Sequence, residues 1–132
     1  RKASGLTETT IWENSTPSTN FTAQTITPSP AVKWSDYKYI KIYWCNNTST
    51  NRTIYADHSV LLDSADVSQY ALNSVTIALR GYNTSDAAFY RRCDVYNNSA
   101  GEAYFDFSTA YKLNSSGTAA SVAIPTKITG LK

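Results

Sequence analysis

Between Tyr37 and Cys45 the side chains alternate strictly. Ile40, Ile42 and Trp44 fall on one face, joined by Lys38 only at the entry end, while Tyr39, Lys41 and Tyr43 fall on the other. A period of two marks an extended strand with one face in a core and the other wetter. The pattern recurs three times. Val75, Ile77 and Leu79 alternate with Thr76 and Ala78; Phe89, Cys93 and Val95 oppose Tyr90, Arg92, Asp94 and Tyr96; Ala103, Phe105 and Phe107 oppose Tyr104, Asp106 and Ser108. Weaker strand signals cover 9–13, 21–27, 53–62 and 121–128. No stretch of eleven residues keeps a helical stripe, and only a short helical turn within 63–70 fits the pattern. With turn-forming clusters roughly every 10 to 20 residues, the chain predicts an all-β, antiparallel β-sandwich, jelly-roll-like, rather than βαβ units.

The 132 residues suffice for one domain around one core. Residues 1–8 lack periodicity and read as the end of a linker, leaving 9–132 as the sandwich. Leu, Ile, Val and Phe make up only 25 residues, but the net charge of +2 argues against disorder. Ten Tyr, three Trp and four Phe replace the missing aliphatic bulk, so the core is expected to be aromatic. Asn, Ser and Thr number 43 and suit turns and strands over helix interiors. Charges are interspersed, with no like-charge run longer than Arg91-Arg92, which gives no footprint for nucleic acid. No apolar window approaches a membrane span and no signal peptide opens the chain. Arg1 leads and Met is absent, as expected of a piece of a longer protein.

Cys45 and Cys93 admit two readings: one disulfide closing a loop of about fifty residues, worth about 4 kcal/mol in the loop-entropy model, or two buried thiols. His58 is the single histidine, without a nucleophile motif or further ligands, and reads as a surface residue. Asp57, Asp63 and Asp66 lack the spacing of a calcium loop and read as turn and cap residues. Glu13, Asp36, Asp94, Glu102 and Asp106 could pair across a sugar only through tertiary arrangement, so nothing in the spacing calls for catalysis. The expectation is a non-enzymatic domain with no metal and no cofactor. Asn-x-Ser/Thr occurs at Asn14, Asn20, Asn46, Asn47, Asn51, Asn83, Asn97 and Asn114. A secreted N-glycosylated β-sandwich would explain that excess, and so would loops built from small polar residues, the reading preferred here.

Tyr and Trp on a rigid β scaffold stack on sugar rings. The candidate ligand-binding residues are Trp34, Tyr39, Tyr43, Tyr55, Tyr82, Tyr90, Arg92 and Tyr96, which lie in loops or on faces opposite the apolar ones. The competing reading has these rings completing an aliphatic-poor core or a subunit interface.

Two segments are more specific than composition. Near the start stand Trp12-Glu13-Asn14, Pro17, Phe21 and Ala23-Gln24-Thr25-Ile26; at the end, Ala123 to Lys132 reads AIPTKITGLK. Together these resemble the C-terminal domain of tail-fibre and minor structural proteins from phages and prophages of Gram-positive and gut bacteria, over about 9–132. The family usually has an aromatic where this chain has Thr129, and 87–97 departs from it. The resemblance implies a homotrimeric β-sandwich at a fibre tip of the virion, made in the bacterial cytoplasm. Its expected partner is a host cell-surface glycan or other envelope receptor, with no nucleic acid and no membrane insertion. A structural assembly and trimerisation module without receptor binding is the alternative.

Overall fold

A computed structural model describes residues 5–17, 19–45, 58–65, 75–82, 88–113 and 115–132, with only the backbone of residue 82. Among the described residues eight strands form two antiparallel four-stranded sheets. They are β1 (Glu8–Glu13), β2 (Gln24–Ile26), β3 (Tyr39–Cys45), β4 (His58–Asp63), β5 (Val75–Tyr82), β6 (Ala88–Asn97), β7 (Ala103–Lys112) and β8 (Ile124–Leu131). One sheet, A, has the order β1-β8-β3-β4 and the other, B, β2-β7-β6-β5. The β1–β8 and β2–β7 pairs give the winding a jelly-roll character, while the β3–β4 hairpin and the β5–β6–β7 meander complete the two sheets. The protein is an all-β sandwich.

The alternating residues meet between the sheets. Ile40, Ile42, Ile128 and Ile124 of sheet A face Leu79, Cys93, Val95, Phe105 and Phe107 of sheet B, all fully or almost fully buried. Aromatic edges fill the remaining space: Phe21 meets Phe107 edge-on at 5.6 Å between centroids, and Trp12 meets Phe21 at 6.5 Å. Rings pack in such offset and T-shaped arrangements because their edges are positive and their faces negative.

The two chain segments that stand out in the sequence lie against each other. β1 pairs with β8, Asn14 N–H donates to Thr126 O at 2.8 Å, and the Asn14 side-chain amide donates to Pro125 O at 2.9 Å. Thr7 and Lys132 exchange both main-chain hydrogen bonds, at 2.8 and 3.1 Å. Thr7 and Glu8 therefore belong to the sandwich, which shortens the expected linker. Gly130 is required by packing: a Cβ there would come within 2.5 Å of the Tyr37 ring.

Parity fails at Cys45, buried directly after Trp44 where the β3–β8 register shifts, and again in β7. The β6–β7 register shifts between Arg91 and Cys93, so β7 carries one extra residue and Ser108, expected outside, is buried. Such a bulge takes a residue out of the ladder and turns the strand. Arg91 opposite it is wholly buried. Its Nε donates to Ala123 O at 2.8 Å, Nη1 to Ser108 O at 2.8 Å, and Nη2 to Val122 O at 2.9 Å and Ala120 O at 3.4 Å. The guanidinium carbon lies 5.2 Å from the Phe21 ring centroid. Burial pulls the Arg91 pKa down to about 10. One cation thus ties the bulge of sheet B to the segment that enters β8.

Cys45 and Cys93 are buried thiols and no disulfide joins them, which corrects the bridged reading. They sit in different sheets, each inside the apolar layer, and burial with nearby Asp94 and Asp106 raises the Cys93 pKa. Ser64 and Ala65 turn helically after β4; the rest of the expected turn, like residues 53–57 of the expected strand 53–62, lies outside the described residues.

Candidate functional site

The outward residues of β5, β6 and β7 make one surface. Tyr96 stands directly opposite Tyr104, with ring centroids 5.5 Å apart, and Tyr90 opposite Tyr111, at 5.9 Å. Strand geometry puts the two pairs about 20 Å apart, six residues along β6. Between them Asp94 faces Asp106 across the ladder, a like-charge pairing that costs stability unless compensated. Compensation comes from each side. Thr76 Oγ1 donates to Asp94 at 2.8 Å, Arg92 Nε lies 3.6 Å from Asp94, and Thr25 Oγ1 donates to Asp106 at 3.2 Å. The Tyr96 phenol is held protonated to higher pH, first by burial and then by Asp106, Tyr104 and Asp94, which leaves it a hydrogen-bond donor. Arg80 adds a second cation, paired in register with Tyr90. This face offers four half-exposed rings with hydroxyls, carboxylates and guanidinium groups between them.

Sheet A presents a different arrangement. The Tyr43 hydroxyl donates to Glu8, which also accepts from Thr129 Oγ1 at 2.7 Å. These two bonds lower the Glu8 pKa, helped by Lys41 and Lys127. The ammonium groups of Lys41 and Lys127 lie 4.9 and 4.7 Å from the Tyr43 centroid. A cleft of about 340 Å³ opens beside this ring, with Glu13, Asn14 and Ser59 on its walls. Two cations already occupy positions against Tyr43, so it is less open to stacking than the rings of sheet B.

The candidate residues read from the sequence therefore divide. Tyr90, Arg92 and Tyr96 share the outer face of sheet B, whereas Tyr39 and Tyr43 belong to the outer face of sheet A and cannot act with them in one site. Tyr39 is half-buried, with Lys38 Nζ 5.8 Å from its ring. Trp34 is corrected outright. A 3₁₀ turn, Trp34–Asp36, directs it into the core, where it is 1% exposed and packs 5.9 Å from Phe105. Tyr55 and the Tyr82 side chain lie outside the described residues. Sequence reasoning missed Tyr104, which its parity opposite Phe105 could have found, and Tyr111, which shares the parity of Phe105 and Phe107 and turns outward only because of the bulge in β7. His58 is exposed on β4 and stacks on Trp44 at 5.6 Å. Among the described residues no three His, Cys, Asp or Glu side chains converge as metal ligands, and no helix is long and apolar enough to cross a membrane.

Three glycosylation sequons fall on described residues. Asn20 is exposed, but Asn97 is 6% exposed and the Asn14 amide nitrogen is committed to Pro125 O. The last two serve the fold rather than offering an amide to solvent. Compared with protein-family models, curated proteins and solved structures, the chain matches none of them.

Proposed function

We propose that this chain is a non-enzymatic receptor-binding tip domain of a phage tail fibre, and that it holds a host cell-surface saccharide on the outer face of sheet B. The observation that carries the ligand class is the pair of tyrosine pairs flanking Asp94, Asp106, Thr25, Thr76 and Arg92. Sugar rings present C–H faces to aromatic rings and hydroxyls to carboxylates, guanidinium and threonine, and this surface alternates those elements along a rigid sheet. The fibre context rests on the resemblance of residues 12–26 and 123–132. Homotrimeric display would multiply a weak single-site affinity.

The test is binding of the domain to a glycan array and to host cell envelopes, with Tyr90→Ala and Tyr96→Ala compared at unchanged circular dichroism. Each substitution is expected to weaken binding about tenfold, the worth of one lost stacking contact. Absence of binding to every glycan and envelope fraction would reject the saccharide reading. A structural assembly module is the second reading, favoured by exposed Tyr111 and Leu113 at one end of β7; light scattering showing a trimer that dissociates on Leu113→Asp would support it.

A further inference from the structure

The outward positions of sheet B fall into rows that cross its strands. Thr25 pairs with Asp106, Asp106 with Asp94, and Asp94 with Thr76, so one polar row runs over all four strands. On one side of it stand Tyr96 and Tyr104. On the other come Ala78 and Arg92, and then Arg80, Tyr90 and Tyr111. Along β6 and β7 the order is thus aromatic, acidic, basic, aromatic. The centre is open to a ligand: the Arg92 side chain is 49% exposed and that of Asp94 25%.

Both aromatic pairs sit on the same two strands, so the line that joins them runs along the strands and not across them. Its length, six residues of β6, is about 20 Å. A pyranose residue, a ring of bonds near 1.5 Å plus one bridging oxygen, advances a chain by about 5 Å. One or two sugar rings therefore reach a single tyrosine pair, and an extended chain of about four or more reaches both.

The middle decides the charge of the ligand. Thr25 and Thr76 each donate a hydroxyl proton to a carboxylate, at 3.2 and 2.8 Å, which leaves the polar row with lone pairs to offer and two negative charges. Sugar hydroxyls meet that row as donors, and the guanidinium of Arg92 beside it donates to their oxygens in return. A uronate or a phosphate at the same place would set a third negative charge against Asp94 and Asp106. We infer that the ligand of this face is an uncharged, extended oligosaccharide of at least about four residues, lying along β6 and β7 with one end on Tyr96 and Tyr104 and the other on Tyr90 and Tyr111. Its length, direction and charge rest on the saccharide reading of the same face.

The probes are oligomers of β-1,4-linked glucose, β-1,4-linked N-acetylglucosamine and α-1,4-linked glucose, from two to six residues, with oligogalacturonates of the same lengths as charged counterparts, each titrated into the protein by calorimetry. In at least one neutral series the pentamer is expected to bind at least about tenfold tighter than the dimer, the gain from a second stacking contact made on one tethered ligand. The oligogalacturonate pentamer should bind at least about tenfold more weakly than that neutral pentamer. Tyr90→Ala and Tyr96→Ala should each bring the pentamer down to the affinity of the dimer, while the dimer, which still has the other pair, changes by no more than about twofold. A substitution that merely unsettled the sheet would weaken both alike. A dimer that binds as tightly as its pentamer overturns the inference and leaves the saccharide reading standing, because one tyrosine pair then suffices. An oligogalacturonate that binds as tightly as the neutral pentamer overturns it through the charge. Failure of every oligomer to bind overturns it too, and the glycan array then decides the saccharide reading by itself.

Discussion

Replacing Arg91 with Met keeps an apolar stem of similar reach and removes every donor. Three of its hydrogen bonds, to Ala123, Ser108 and Val122, are 2.8–2.9 Å long. Hydrogen bonds from a charged group contribute about 1.5–3 kcal/mol each, so the three give about 4–9 kcal/mol. Against this stands the burial of the cation. A pKa lowered from 12.5 to about 10 corresponds to about 3.5 kcal/mol at about 1.4 kcal/mol per unit. The difference centres on about 3 kcal/mol of lost stability for Arg91→Met, a large part of the 5–15 kcal/mol that holds a domain folded. In urea, with a slope of about 2 kcal/mol/M, the midpoint should fall by about 1.5 M. Arg91→Lys should recover less than half, because a compact ammonium cannot span carbonyls on β7 and on 120–123 as the planar fork does. A midpoint shift below about 0.5 M for Arg91→Met, at unchanged slope, would refute the reasoning. It would mean that water satisfies the four carbonyls and that the guanidinium does not hold the two sheets together.

Other perturbations probe separate parts of the structure. Gly130→Ala drives a methyl into the Tyr37 ring and should cost about 1–3 kcal/mol in chemical unfolding, most of it regained in the Tyr37→Leu, Gly130→Ala double variant. The bonds from Tyr43 and Thr129 lower the Glu8 pKa in the folded state, so their stabilisation is present above the usual glutamate range and is lost as pH falls below that range and through the lowered folded-state value. The unfolding free energies of wild type and Glu8→Gln should therefore differ by less than about 1 kcal/mol at pH 7 and converge toward pH 3. Both cysteines are buried thiols; a thiol reagent should find neither in the native protein and two per chain in denaturant, and a native reaction as fast as the denatured one would contradict the packing.

The strand faces were legible because alternation and burial agree wherever the ladder is regular: Ile40, Ile42, Trp44, Phe105 and Phe107 are all core. They stopped being legible at Ser108, where one inserted residue reverses inside and outside without changing the local residue types. Arg91 shows the converse. It sits at a core parity position between Phe89 and Cys93, but its charge argues for solvent until the carbonyls of 120–123 are known to converge on it. Trp34 looked like a loop aromatic because three residues of 3₁₀ turn leave no periodicity to read. The division of the tyrosines between two sheets could not be read at all, since parity says which residues share a face of one strand and not which strands are neighbours.

The reciprocal bonds between Thr7 and Lys132 also decide how the domain bears load. Residues 7 and 132 leave the sandwich side by side, at the open end of the β1–β8 pair. Tension applied between them would peel that pair from its end, breaking its rungs one after another at low force. Tension applied between residue 7 and the opposite end of the sandwich would load the same rungs lengthwise and together. A load carried from residue 7 through β1 to the far end of the sandwich would therefore meet far more resistance than the same load between residues 7 and 132.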